Sequence, residues 1–322
     1  MSVGIGTGRS AVAIGGGTGL PSVLRCLVDL GFETTAVVTM ADDGGSSGLL
    51  RRQLGMLPPG DIRNCLVALS ADDSGLLARV FQYRFPHGEG LAGHALGNLI
   101  LAALADLTGS FPAAIEAAEQ YLDARGLVLP STLADVELRG VDRAGAALTG
   151  QAALAVNPEP LACVHLEPAE PPAYPPVLEA IRAADVIVIG PGSLYTSIIP
   201  NFLVADITRA VSDSSAKRVY VCNVANMRGE TGGLDAADHV AALVDHGLGG
   251  GVDIAIVHQP EPCHAHLCDD DSRVEPVAFD DSIRARIAAF GLDVVVADLA
   301  DPTDPVRHSR EALCRVLERV IA

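Results

Sequence analysis

Basic residues are scarce in this chain. Lys and Arg number 22 against 40 Asp and Glu, for a formal net charge of −18. Gripping a phosphate backbone or an anionic membrane takes clustered Lys and Arg, so the balance argues against general nucleic-acid or membrane-surface binding. A single nucleotide is not excluded, because glycine loops and helix N-termini hold it locally. Long apolar runs are missing too. None approaches the roughly 18 residues of a membrane span, so no membrane insertion is expected. Residues 1–10 are polar and glycine-rich with no apolar core, which predicts a flexible terminus and not a signal peptide. The seven cysteines form no CxxC pair. Cys26, Cys65, Cys222 and Cys314 sit in apolar runs, so buried free thiols in a reducing cytoplasm are expected. Internal repeats and low-complexity tracts are absent. What remains is 322 residues, 49% hydrophobic and 4% aromatic: enough apolar material for one large α/β core with a smaller lobe.

The stretch Thr39 to Gly48 dominates the reading. It follows a β-type run, Thr35 to Val38, and holds Asp42, Asp43, Gly44, Gly45, Ser46, Ser47 and Gly48. Adjacent carboxylates, hydroxyls and glycines pack poorly in a core. They suit a polar ligand, with N–H groups and hydroxyls for phosphate oxygens and carboxylates for Mg²⁺ or ligand hydroxyls. A plain Asp/Gly/Ser turn has the same composition, so this stretch alone leaves both readings open.

Upstream, Ala11–Ile14 reads as a buried strand, followed by Gly15, Gly16, Gly17, Thr18 and Gly19. A helical stripe then runs through Leu20, Val23, Leu24, Leu27 and Val28. Pro21 suits its first turn. This is a βαβ unit with a phosphate-type elbow, but it does not satisfy G-x-G-x-x-G. Leu20 stands at the last glycine position, and no acidic residue closes the second strand about 20 residues on. Nicotinamide binding is therefore the weakest of the readings.

Further along, Leu57 to Leu66 contains Pro58, Pro59 and Gly60 before a helix, with Asp61 as candidate N-cap and Arg63 and Asn64 in the first turn. Arg63 reads equally well as an anion ligand or a solvated helix charge. His94 and Asn98, four apart, share a face only if the next helix has begun by His94; capping or core roles are the alternative. Residues 110–176 read as a smaller inserted lobe, with a hairpin around 139–145 and repeated prolines. Val186–Ile189 then restarts the sheet as a β-branched strand and ends in Gly190, Pro191, Gly192 and Ser193. Ser193 is a candidate N-cap of a second helix aimed past a strand end, followed by Tyr195. Strands at Arg218–Cys222, leading to Asn223, and at Val252–Val257 follow, with a last helix from about Pro305 to Val320.

Five motifs stand in order: Gly15–Leu20, Ala41–Gly48, Pro58–Cys65, Gly93–Asn98 and Gly190–Asn201. Together they resemble the bacterial gluconeogenesis factor family, in the superfamily of 2-phospho-L-lactate transferase. The resemblance covers nearly the whole chain. It implies a Rossmann-like, doubly wound, mainly parallel α/β fold: one domain over 11–322, with a core of about 11–109 and 177–322 and a lobe at about 110–176. It also implies a cytoplasmic protein that binds a nucleotide or UDP-sugar and links carbon metabolism to cell-envelope morphogenesis. The transferase relatives use Mg²⁺ with a nucleotide diphosphate-linked donor. The ligand residues so implied are Gly16, Gly17, Thr18, Gly19, Asp42, Asp43, Gly45, Ser46, Ser47, Arg63, Asn64, His94, Asn98, Gly192, Ser193, Tyr195 and Asn223, with Asp42 and Asp43 as candidate Mg²⁺ ligands. Ala225 to Thr231 departs from the family pattern, although Asn223 and Glu230–Thr231 remain, and contacts of that loop are not carried over.

Cys263, His264, His266 and Cys268 lie outside these motifs. They offer four zinc-type ligands in one short run, although structural zinc sites usually draw pairs from separate segments, and a polar surface loop is the first reading. Two function classes remain: a nucleotide-sugar-binding regulator and a Mg²⁺-dependent transferase. Phosphoryl-type chemistry needs mainly positioning and charge neutralisation, so the two sites look alike in sequence. No nucleophile–base pair is recognisable, which favours binding over catalysis. The partner is then a small nucleotide, with a homo-oligomer left open.

Overall fold

The structure is a computed structural model that describes residues 8–260 and 275–321. Cys263, His264, His266 and Cys268 lie outside the described residues, as does most of the 1–10 terminus. Seven strands form the main sheet: β1 (Ser10–Gly15), β2 (Glu33–Val38), β3 (Gly126–Pro130), and, after an inserted sheet, β7 (Val186–Ile189), β8 (Lys217–Val221), β10 (Ile254–His258) and β12 (Asp293–Ala297). The inserted sheet is β4 (Glu137–Asp142), β5 (Ala147–Thr149) and β6 (Leu161–Glu167), antiparallel in the order β5-β4-β6. Two short antiparallel pairs complete the strands: β9 (Ala225–Asn226) with β11 (Glu275–Pro276), and β13 (Ala300–Asp301) with β14 (Asp304–His308).

The main sheet has the order β12-β10-β8-β7-β1-β2-β3, and every neighbouring pair is parallel. Its central strands are continuous apolar runs, and all four residues of β7 are buried, as a sheet covered on both faces requires. The covering helices are α1 (Leu20–Asp29), α2 (Gly45–Leu54), α3 (Gly60–Leu69), α4 (Leu76–Gln82), α5 (Leu96–Thr108), α6 (Phe111–Leu122) and, beside the inserted sheet, α7 (Gln151–Ala155). Next come α8 (Pro175–Ala183), a π-helical turn (Leu194–Ile198) running into α9 (Ile199–Phe202), α10 (Ala205–Asp213), α11 (Ala236–Leu243), α12 (Asp281–Ala289) and α13 (Arg310–Ile321). The α1 stripe behaves as its spacing predicts: Leu20, Val23, Leu24 and Leu27 are buried, and Pro21 sits in the first turn.

Three expectations need correction. The inserted lobe is narrower than 110–176, because α6 leads into β3, which pairs with β2 as the edge of the main sheet. Local pattern shows a strand but not its partner. The expected final helix from Pro305 is a strand first: residues 304–308 pair with 300–301, and α13 starts at Arg310. Cys26 and Cys314 are not free thiols but a disulfide. Helices α1 and α13 pack side by side and bring their Cα atoms to 5.1 Å across 288 residues, a proximity that no local pattern reports. Cys65 and Cys222 are buried and free, as expected, and Cys163 is free but exposed.

Candidate functional site

Strand order alone marks where a ligand belongs. From β1 the chain builds outward through β2 to β3, then returns to place β7 on the other flank of β1 and moves away through β8, β10 and β12. The loops leaving β1 and β7 therefore diverge, and between their carboxyl ends lies the crevice of a doubly wound sheet. Both glycine loops open onto it. Gly17 has φ +66°, the left-handed region open to glycine. A Cβ on Gly19 would stand 2.5 Å from the Pro191 carbonyl oxygen, so the two loops touch only because that position is glycine. On the other side of the first loop, the Gly17 N–H donates to Asp61 Oδ2 at 2.7 Å.

The second loop is held by Asn223, just past β8. Its side-chain amide donates to the Gly192 carbonyl at 2.8 Å and accepts from the Gly192 N–H at 3.3 Å. Thr18, Gly19, Gly192, Ser193, Asn223 and Met227 line a cleft of about 170 Å³, with Arg307 and His308 of β14 forming its far wall. Arg307 is a residue that sequence reasoning missed. It sits in a strand far along the chain that was read as helix, and it forms a surface ion pair with Asp304 at 2.9 Å.

The helix start after Ser193 is not open to an anion. Glu230, fully buried, places Oε1 on the N–H groups of Tyr195 (2.7 Å) and Thr196 (2.8 Å). The protein's own carboxylate takes the place expected for a phosphate. Burial, the dominant effect, raises the Glu230 pKa, opposed by those two N–H donors. Ser193 makes no side-chain cap; its hydroxyl donates to Met227 Sδ at 3.2 Å. Tyr195 is buried with its ring against His246, 5.7 Å between centroids, and does not line the cleft.

Beyond the first glycine loop lies the acidic stretch, and it begins a helix that its composition does not announce: α2 starts at Gly45, itself at φ +46°. Asp42 and Asp43 part company there. Asp42 accepts from the Gly44 N–H at 3.0 Å and is approached by the Ser47 hydroxyl. Asp43 turns to the inserted lobe and accepts from the Ala152 N–H of α7 at 2.8 Å. As adjacent carboxylates they do not converge. A third carboxylate, Asp61, feels the Asp42 charge; it lies in the first turn of α3 and reaches back to Gly17, whereas the N-cap position is Pro59. Burial is the main force pushing Asp61 up to about 6; the Asp42 charge adds to it, and the Gly17 N–H and Arg63 oppose it. Burial likewise raises Asp42. Asp42 and Asp61, two buried carboxylates beside a phosphate-type loop, are where a divalent cation would fit. Among the described residues no group of three His, Cys, Asp or Glu is placed to hold a metal, so ligand oxygens would have to complete the shell.

Arg63 is no solvated helix charge. It is 5% exposed, and burial lowers its pKa to about 10. It donates to Asn98 Oδ1 at 2.7 Å and to Asn64 Oδ1 at 2.8 Å, while its buried Nε has no hydrogen bond among the described residues. Ser46 ties His94 and Asn98 together. Its hydroxyl lies 3.0 Å from His94 Nδ1 and accepts from Asn98 Nδ2 at 3.1 Å and the Ala95 N–H at 3.4 Å. Helix α5 starts only at Leu96, so His94 and Asn98 meet through Ser46 and not through a shared helical face. With Ser46 donating to His94, both of its lone pairs are taken by N–H donors. This is a closed polar knot, not an activated nucleophile.

Roomier clefts lie elsewhere, one of about 610 Å³ at the ends of β10 and β12 beside His258, Asp298 and Arg319. None of the motif residues lines it. The crevice between the two glycine loops is the better candidate, because it lies at the switch point of the sheet and is lined by motif residues.

The fold defines a doubly wound, mainly parallel α/β protein with a crevice at the switch point of its sheet. A model of the family described as 2-phospho-L-lactate transferase CofD matches residues 11–300, and the chain belongs to this family. It is 42% identical over 304 residues to a protein of Halalkalibacterium halodurans named gluconeogenesis factor, covering 94% of this chain and 93% of that one. A protein of the same name from Bacillus subtilis is 42% identical over 305 residues, covering 94% and 95% of the two chains. A crystal structure of a Bacillus halodurans protein superposes with a TM-score of 0.90 at 42% identity, covering 96% of this chain and 99% of that one. Among the described residues no helix is long and apolar enough to cross a membrane.

Proposed function

We propose that the chain binds a nucleotide-sugar, of the UDP-sugar kind, in the β1–β7 crevice and acts as a regulator that couples carbon metabolism to cell-envelope morphogenesis. The observation that carries the reading is the meeting of two glycine loops at the switch point, with Asn223 fixing one loop and Arg307 facing both. N–H groups of such loops and an arginine suit a diphosphate. Relatives named gluconeogenesis factor support the metabolic side of the reading. The closed Ser46–His94 knot favours binding without chemistry.

A second reading, a Mg²⁺-dependent transferase acting on a nucleotide diphosphate-linked donor, draws on the family match and on the Asp42–Asp61 pair. In it, Asp42 and Asp61 hold the cation, which neutralises diphosphate charge when bound. Asp43 is engaged with α7 and would have to leave Ala152 to join them.

Thermal unfolding against UDP-hexoses, UDP-N-acetylhexosamines, GDP and NAD, each with and without Mg²⁺, tests the readings together. A ligand at about 100 times its Kd adds about 2.7 kcal/mol of stability. Stabilisation by UDP-sugars with no released nucleotide is the expected result. No shift with any nucleotide refutes nucleotide binding, and nucleotide release from a donor selects the transferase. A shift with NAD alone would revive the oxidoreductase.

A further inference from the structure

The Cys26–Cys314 bond ties together the two sides of the cleft. Cys26 lies in α1, the helix that springs from the Gly15–Gly19 loop. Cys314 lies in α13, which follows β14 after one residue, and β14 carries Arg307 and His308 into the cleft. We propose that this disulfide is a redox-responsive staple: oxidised, it holds the C-terminal wall of the cleft against the glycine-loop helix; reduced, it lets that wall move and weakens ligand binding.

Three observations support it. The bond has an approach side, since Cys26 is fully buried but Cys314 is partly exposed and borders an open surface groove with Asp29, Glu311 and Glu318. The reduced state is provided for, because Cys26 Sγ lies 3.7 Å from the Arg310 carbonyl oxygen, an acceptor ready for a thiol. The other ties are graded. Leu313 and Leu317 are buried and keep α13 docked, whereas the Arg310–Asp29 ion pair beside the bond is about half exposed on both partners and adds little. His308 Nε2 lies 3.0 Å from the Cys222 carbonyl oxygen and the Ser309 N–H donates to the Leu299 carbonyl at 2.7 Å, so reduction loosens the wall without releasing the strand or the helix.

The reductant is a dithiol. Its thiolate attacks Cys314 Sγ, the sulfur on the groove side; the S–S bond breaks and the electron pair leaves on Cys26 Sγ, which takes a proton. The second thiol of the reductant attacks the mixed disulfide and releases Cys314, which is protonated in turn. The protein gains two electrons and two protons, and the dithiol becomes a disulfide. Oxidised glutathione drives the reverse reaction.

The test uses the full chain purified without reductant, with dithiothreitol, oxidised glutathione and UDP as probes. Non-reducing digestion should yield linked peptides holding Cys26 and Cys314. Dithiothreitol should raise amide exchange over residues 304–321 by about tenfold relative to the glutathione-oxidised protein. It should also weaken UDP binding by about threefold or more. Cys314→Ser should match the reduced protein in exchange and affinity and ignore dithiothreitol. Failure to find linked peptides after glutathione oxidation overturns the staple, as does identical exchange in the two states of the wild type. The link to affinity rests on the cleft being the nucleotide site. If UDP binds neither state, that reading fails, while the exchange measurement still decides the staple.

Discussion

Asp61→Asn separates stability from function at the centre of the site. Asp61 accepts the Gly17 N–H at 2.7 Å, and burial beside Asp42 holds its carboxyl near 6, against 3.8 for the free group. A raised carboxyl pKa means that the fold binds this proton more tightly than the unfolded chain does. Its effect on stability is therefore a loss that develops as pH rises from about 3.8 to about 6 and is complete above that. The full loss is about 3 kcal/mol, of which about half is already present at pH 5. Asparagine cannot ionise, and its oxygen can still accept from Gly17, though a neutral acceptor forfeits about 1 kcal/mol. The variant should then be more stable than the wild type by about 1–2 kcal/mol at pH 7.5, with no ligand or cation added. The difference between the two should shrink by about 1.5 kcal/mol at pH 5. Urea unfolding at the two pH values measures this directly, and taking the difference removes every titrating group not coupled to Asp61. Under the Mg²⁺ hypothesis, Mg²⁺ should stabilise the wild type and leave the variant unmoved. Parallel pH profiles, or a variant less stable at pH 7.5, would refute the assignment of Asp61 as an ionised, desolvated acid.

Four other outcomes follow from the same structure. Gly19→Ala must push its Cβ away from the Pro191 carbonyl at 2.5 Å, so UDP-sugar affinity measured by calorimetry should fall by about tenfold or more, at a stability cost of about 1–3 kcal/mol. Glu230→Ala orphans the buried N–H groups of Tyr195 and Thr196 and should cost about 2–4 kcal/mol in urea unfolding; Glu230→Gln keeps an acceptor and should cost less. His239 and His308 are held near 4 by burial and are neutral in the fold, so stability is lost as pH falls from about 6.5 towards 4. At pH 5 each accounts for about 2 kcal/mol, and His308→Gln should remove its share of the drop in Tm between pH 7 and pH 5. Reducing Cys26–Cys314, which spans 288 residues, should lower stability by about 2–4 kcal/mol, with about 5–6 kcal/mol the ceiling from chain entropy; scans with and without dithiothreitol would show it.

Much of this protein was legible locally. The apolar runs at Ala11–Ile14 and Val186–Ile189, the stripe of α1 and the glycines after each strand depend on neighbours a few residues apart, and they led to the βα elbows and the α/β class. The same composition argued against a nucleic-acid surface, and ordered motifs pointed to the family. Distance along the chain is what local pattern cannot cross. That Gly19 abuts Pro191, that Asp61 comes within reach of the Asp42 charge, and that Arg307 lines the same cleft as Thr18 depend on how the strands are ordered. Glu230 shows the cost of reading a helix start in isolation, since its N–H groups were satisfied by a carboxylate 34 and 35 residues further on. Cys26 and Cys314 looked like two buried thiols until α1 and α13 were set side by side. Sequence determined most of the elements and the chemistry at their ends; tertiary structure decided which ends meet and made residues 304–308 a strand, because pairing is a property of strand order and packing.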